Sequence, residues 1–145
     1  MIPDLTARTE DAVRWLVLDR PDAGNSVTRA MQRSLIENLQ SASSDPDIRA
    51  VVLTGSGGRH FCTGPNLHDP GMQPKKDRIA GDAARILRTG SQAVVSALLD
   101  CEKPVLCALN GVAAGVGASM VLACDLIVAT ESALFMNNAL TTATR

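Results

Sequence analysis

Apolar and polar residues alternate from Ala12 to Leu18, with Val13, Trp15 and Val17 on one side, which predicts a half-buried strand. Arg20-Pro21-Asp22-Ala23-Gly24-Asn25 supplies the turn residues that end it. Val27, Met31, Leu35 and Leu39 then recur every four positions, so the spacing predicts an amphipathic helix from about Thr28 to Ser41. Ser26 or Thr28 can cap it. Asp45-Pro46-Asp47 breaks the chain before Ile48 to Thr54, a continuous apolar run that predicts a strand covered on both faces. Helical spacing returns from Arg78 to Leu99 through Ile79, Ala83, Ile86, Leu87, Val94 and Leu98, with Gly90 marking a bend. Val105 to Leu109 and Leu126 to Ala129 read as two further strands. Strands alternating with helices predict one α/β domain over residues 1–145 with its strands buried.

Two glycine-rich stretches interrupt this pattern. Gly55, Gly57 and Gly58 form a turn that leads through Phe61-Cys62-Thr63-Gly64 into Pro65-Asn66-Leu67-His68, and Asp69 to Lys76 reads as a mobile loop. The second stretch, Gly111 to Gly117, opens from a buried strand into an Ala-rich helix. Such a turn exposes backbone N–H groups, which bind anionic oxygen. Gly115-Val116-Gly117 is followed by Ala118-Ser119-Met120, which matches neither a dinucleotide loop nor a phosphate loop. An oxyanion site remains.

Composition narrows the partners. The 145 residues are 46% hydrophobic, enough for one core, but only Trp15, Phe61 and Phe135 are aromatic, so no stacking platform for single-stranded nucleic acid exists. A net charge of -1 gives no basic footprint for nucleic acid or an anionic membrane. No apolar run approaches the roughly 18 residues that span a bilayer. Cys62, Cys101, Cys107 and Cys124 contain no CxxC pair, so no metal site is expected, and they read as free thiols in a reducing, cytoplasmic compartment. Asp4, Glu10 and Asp11, with no apolar stretch before residue 12, argue against a targeting segment.

Three blocks resemble the crotonase, or enoyl-CoA hydratase/isomerase, superfamily. Lys103 to Phe135 is similar to its signature segment, Ala50 to Leu67 to its strand, glycine turn and GxDL loop, and Leu18 to Asn25 to its RPxxxNA segment. The resemblance implies an α/β spiral of strand-strand-helix (ββα) units lacking the C-terminal helical portion that builds trimers. Homotrimers or hexamers are the family expectation. After Phe135 the chain departs from the family's Gly-x-Pro-Glu continuation. Loss of the helical portion predicts exposed apolar surface and poor solubility as a lone monomer.

The resemblance implies an acyl-CoA thioester as substrate, with coenzyme A part of the substrate and no separate cofactor. Family members stabilise an enolate-like charge on the thioester oxygen with two backbone N–H groups, and the matching positions here are Pro65 and Val116. Proline carries no N–H. Hydratases of the family place two glutamates at positions that fall here at Ser119 and Ala139, neither of which is a general acid or base near neutral pH. The resemblance places coenzyme A against main-chain atoms around Ala23, Asn25 and Ser26 and around Thr63, Gly64, Asn66 and Leu67, with Gly115 and Gly117 framing Val116. Asn25 also reads as a turn residue, and Asp125 as a support for the strand after it. His68, with Asp69, is a candidate catalytic side chain and equally a solvated loop residue.

The functional expectation is a hydratase/isomerase-family protein whose hydratase activity is weak or lost in this chain. The alternative is a non-catalytic acyl-CoA binder, or an interaction partner of full-length subunits. Gly117-Ala-Ser119-Met120 also resembles the nucleophile segment of Clp-type serine proteases, but the only histidines, His60 and His68, lie upstream.

Overall fold

A computed structural model describes residues 4–73 and 79–136. Eight strands and four helices occur among them. The first two strands, β1 (Leu5–Glu10) and β2 (Val13–Leu18), form an antiparallel hairpin. Its two-residue turn, Asp11-Ala12, has φ of 50° and 63°, the paired left-handed geometry that matches strand twist. From β2 onward pairing becomes parallel, through β3 (Ala50–Gly55), β5 (Val105–Leu109) and β7 (Leu126–Ala129). A second sheet consists of β4 (His60–Cys62), β6 (Val112–Ala114) and β8 (Leu134–Met136), also parallel.

The chain therefore winds as a spiral. Each turn lays one strand in the first sheet and the next in the second, and the β3–β4 and β5–β6 turns then continue into helix. After β4 come α2 (Ile79–Thr89) and α3 (Ser91–Leu99); after β6 comes α4 (Val116–Ala123). The corner between β5 and β6 requires glycine, because a Cβ on Gly111 would collide with the Arg59 carbonyl and stand 2.8 Å from the His60 nitrogen.

Helix α1 (Arg29–Ser44) buries Met31, Leu35 and Leu39 of the predicted face, together with Gln32 and Ala42. Thr28 caps it by accepting from the Met31 N–H at 3.1 Å. The face predicted for β2 is reversed: Leu16 and Leu18 are fully buried, whereas Val13, Trp15 and Val17 are half-exposed. β2 lies between β1 and β3 and carries apolar residues on both faces, so the alternation alone does not say which meets the core. Trp15 lies on the outer face, where the Arg8 guanidinium sits 5.1 Å from its ring centroid.

The bend expected at Gly90 is a break between α2 and α3. A Cβ at Gly90 would stand 2.5 Å from Gln32 Oε1 and 2.7 Å from the Ile86 carbonyl, so glycine lets this junction press onto α1. The predicted loop from Asp69 lies partly outside the described residues. Within them, Pro70–Met72 is a single 3-10 turn.

Candidate active site

Strands β4 and β6 are neighbours, so the turns that follow them meet side by side. After β4, Gly64 takes φ of 118°, which a side chain would oppose. Pro65 then forms an isolated parallel bridge with Val27: the Val27 N–H donates to the Gly64 carbonyl at 2.8 Å, and the Asn66 N–H donates to the Val27 carbonyl at 2.9 Å. After β6, Gly115 takes φ 56° and ψ -125° and starts α4. A Cβ built on Gly115 would lie 3.5 Å from Gly64 Cα and 3.8 Å from Pro65 Cδ, so the two turns are in contact.

Together they form one wall of a cleft of about 660 Å³, lined by Pro65, Gly115, Val116 and Ser119. The opposite wall comes from α2 and α3, with Leu87, Ser91, Gln92, Val95 and Ser96. Val116 is the first residue of α4, so its N–H has no carbonyl acceptor within the helix. The helix dipole adds partial positive charge there. Gly117 lies behind it, where a Cβ would collide with the Cys62 carbonyl and stand 2.7 Å from Cys62 Cβ. This close approach seats α4 on β4.

Ser119 is exposed on the first turn of α4, and its hydroxyl donates to the Gly115 carbonyl at 3.4 Å. No imidazole partners it among the described residues, which leaves the serine-protease resemblance without its base. Ala139 lies outside the described residues.

These four cleft residues are the part of the expected site that comes together. His68 is exposed and does not line the cleft; its N–H donates to Asn66 Oδ1 at 3.1 Å. Leu67 is 69% exposed and also stands outside the cleft lining. Thr63 is joined to the Ala23–Ser26 segment, donating from its N–H and hydroxyl to the Gly24 carbonyl at 3.1 and 3.0 Å. Ala23 is exposed, and its carbonyl accepts from the Ser26 N–H at 3.1 Å.

Asn25 is fully buried, and its side chain is committed to the protein. Its Oδ1 accepts from the Arg20 N–H at 2.8 Å, and its Nδ2 donates to the carbonyls of His60 at 2.7 Å and Ser56 at 3.0 Å. The side chain clasps the glycine turn to the segment before α1, so it is not free to hold a ligand.

The Enoyl-CoA hydratase/isomerase family model matches residues 8–143. The chain is 37% identical over 136 residues to 1,2-epoxyphenylacetyl-CoA isomerase of Escherichia coli, covering 94% of this chain and 51% of that protein. This chain belongs to the enoyl-CoA hydratase/isomerase family. It is also 35% identical over 131 residues to (E)-benzylidenesuccinyl-CoA hydratase of Thauera aromatica, covering 90% of this chain and 48% of that relative. An enoyl-CoA hydratase structure from Bacillus anthracis superposes with a TM-score of 0.86 at 25% identity, covering 97% of this chain and 53% of that one. The chain thus spans about half the length of the curated relatives it matches.

Two side chains, Asp69 and Asn110, position the turns of this crotonase chain in ways that sequence reasoning did not foresee. Asp69 accepts from the Arg29 N–H at 2.6 Å and from the Gly71 N–H at 2.9 Å, tying the loop after Pro65 to the start of α1. Asn110 binds both polar atoms of Gly55, donating to its carbonyl at 2.6 Å and accepting from its N–H at 3.2 Å. An aspartate two residues before Gly71 and an asparagine at a strand end are the usual signals of such turns. Asp125 supports a strand as expected, but the neighbouring one: its carboxylate accepts from the Val105 N–H at 2.8 Å, where β5 begins.

The described residues hold no group of three or more His, Cys, Asp or Glu that could bind a metal ion, and none of their helices is long and apolar enough to cross a membrane. Cys62, behind Gly117, is held protonated by burial, its thiol pushed up to about 11. It is no nucleophile near neutral pH.

Proposed function

We propose that this chain binds an acyl-CoA thioester in the cleft between the two glycine turns and meets the thioester oxygen with one main-chain donor, the Val116 N–H. Its hydratase or isomerase turnover is then weak or lost. The Val27–Pro65 bridge carries the reading. In a parallel bridge the flanking groups, here the Gly64 carbonyl and the Asn66 N–H, turn toward the partner, while the nitrogen of the bridged residue turns away. Pro65 therefore turns its nitrogen away from Val27, the ring carbon bonded to it, Cδ, lies 3.8 Å from where a Cβ on Gly115 would stand, and that nitrogen has no hydrogen. Asn66 is no substitute, since its N–H is already engaged.

Losing one donor of an oxyanion pair costs about 2.7–4 kcal/mol, roughly two to three orders of magnitude in rate. Ser119 adds to the loss, because a hydroxyl bonded to the Gly115 carbonyl supplies no carboxylate to move a proton onto the α-carbon or activate water. The same two features favour, as second reading, a protein that binds acyl-CoA without turning it over.

The test pairs calorimetric titration with saturated and α,β-unsaturated acyl-CoA esters with the loss of crotonyl-CoA absorbance on hydration. Saturable binding with little or no hydration is expected. Brisk hydration that survives both Ser119→Ala and His68→Ala would overturn the assignment.

A further inference from the structure

We propose that Arg29 and Gln32, in the first turn of α1, form a brace that fixes the width of the cleft and, through it, the acyl-chain preference of the protein. The inference rests on an acyl-CoA occupying the cleft and adds which residues set the fit of its acyl part. On the side of the glycine turns, the Arg29 N–H donates to Asp69 Oδ2 at 2.6 Å, and Asp69 lies in the loop after Pro65. On the opposite side, the Arg29 guanidinium donates to Thr89 Oγ1 at 2.5 Å and to the Ile86 carbonyl at 3.4 Å, both on α2. One residue thus holds both walls.

Gln32 completes the brace. It is 1% exposed, and its side chain accepts from Arg29 Nη1 at 3.3 Å and donates to Ser91 Oγ at 3.3 Å. Ser91 opens α3 and lines the cleft with Leu87. Gly90 sits against both partners, since a Cβ there would stand 2.5 Å from Gln32 Oε1 and 2.6 Å from Arg29 Nη1. The break between α2 and α3 is therefore where α1 grips the far wall.

That wall has little else to hold it. Among residues 80–89 of α2 only Asp82 is buried, so apolar packing anchors the helix weakly. Leu87 on α2 and Val95 on α3 are the apolar side chains this wall offers to an acyl chain, whereas the Val116 N–H belongs to the wall of the glycine turns. A long acyl chain therefore reaches from one wall to the other, and an acetyl group stays near Val116. Fixed spacing favours the long chain, because closing a slack wall onto a ligand costs ordering free energy. Changing the Arg29 side chain leaves its main-chain bond to Asp69 in place and so releases the far wall alone.

Calorimetric titrations with octanoyl-CoA and acetyl-CoA, run on the native chain, Arg29→Met, Gln32→Leu and Gln32→Glu, test the brace. The preference for octanoyl over acetyl should fall about tenfold in Arg29→Met and in Gln32→Leu. Gln32→Glu should retain it to within about twofold, since a carboxylate accepts from both the Arg29 guanidinium and the Ser91 hydroxyl. Amide exchange of the ligand-free chain should quicken from Leu87 to Val94 in Arg29→Met and stay native at the start of α4. A merely structural role would weaken both esters equally through loss of folded protein. Equal losses, an unmoved preference, or native exchange at the α2–α3 break would each overturn the brace. A native chain that binds neither ester would instead overturn the occupancy of the cleft, and the acyl preference with it.

Discussion

The Asn66 N–H donates to the Val27 carbonyl at 2.9 Å, and this one bond removes the amide best placed to stand in for Pro65. The missing hydrogen can be restored directly. Pro65→Ala should give the cleft a second donor beside Val116. A β-ketoacyl-CoA is the clean probe, since its enolate has its own near-ultraviolet band and needs no catalytic carboxylate to form. The variant should show a larger enolate fraction at a given pH and bind up to about 10²–10³-fold more tightly. Identical spectra and affinity would mean that residue 65 does not face the thioester oxygen.

Asn25 separates a clasp from a ligand contact. Asn25→Ala leaves the Arg20 N–H and the carbonyls of Ser56 and His60 short of a partner. Each orphaned buried group costs about 1–3 kcal/mol, so a total loss of at least about 3 kcal/mol is expected in urea denaturation. Acyl-CoA affinity of the fraction that remains folded should be unchanged. A large affinity loss with native stability would return the side chain to the binding site.

Glycines 81 and 117 should respond in opposite senses to alanine. A Cβ at Gly117 collides with the Cys62 backbone, which cannot yield without parting α4 from β4. Gly117→Ala should cost about 1–3 kcal/mol or more. Gly81 sits within α2, and a Cβ there meets nothing within 4 Å, so Gly81→Ala should stabilise by about 0.5–1 kcal/mol. Denaturation midpoints compare the two; equal effects would contradict the packing of α4 on β4.

What the chain disclosed in advance follows from the length of each signal. Helix α1 spans four turns with one apolar face and a threonine at its start, so periodicity and capping agreed. Strands β4, β6 and β8 are three residues each, too short for a two-residue period to register. The hairpin strand β1 escaped notice because only Leu5 is buried, Thr6 is half-buried and the four residues after it are exposed. Val13, Trp15 and Val17 alternate faithfully yet lie on the outer side, since Leu16 and Leu18 alternate just as well and only the position of α1 decides between them. At the site, glycine spacing located the two turns. The bridge from Val27 that orients Pro65 is a pairing across 38 residues, invisible to any local pattern.

Cys62 links the site's scaffold to alkaline stability. Its thiol is pushed from its ordinary 9.0 up to about 11 by burial. In the unfolded chain it ionises from about pH 9, while in the native state it keeps its proton until about pH 11. Between those values unfolding releases a proton, so stability falls as pH rises. That stability is fully present below about pH 9 and is lost by the time pH passes 11, a loss on the order of 2–3 kcal/mol. Urea midpoints measured under reducing conditions from neutrality to about pH 11 should decline in the native sequence and decline less in Cys62→Ala. The variant starts lower because the methyl group leaves space behind Gly117, so the slope with pH, not the absolute midpoint, is the quantity that decides. Parallel slopes would show that Cys62 ionises freely in the folded protein, and the tight seating of α4 against β4 would have to be abandoned with it.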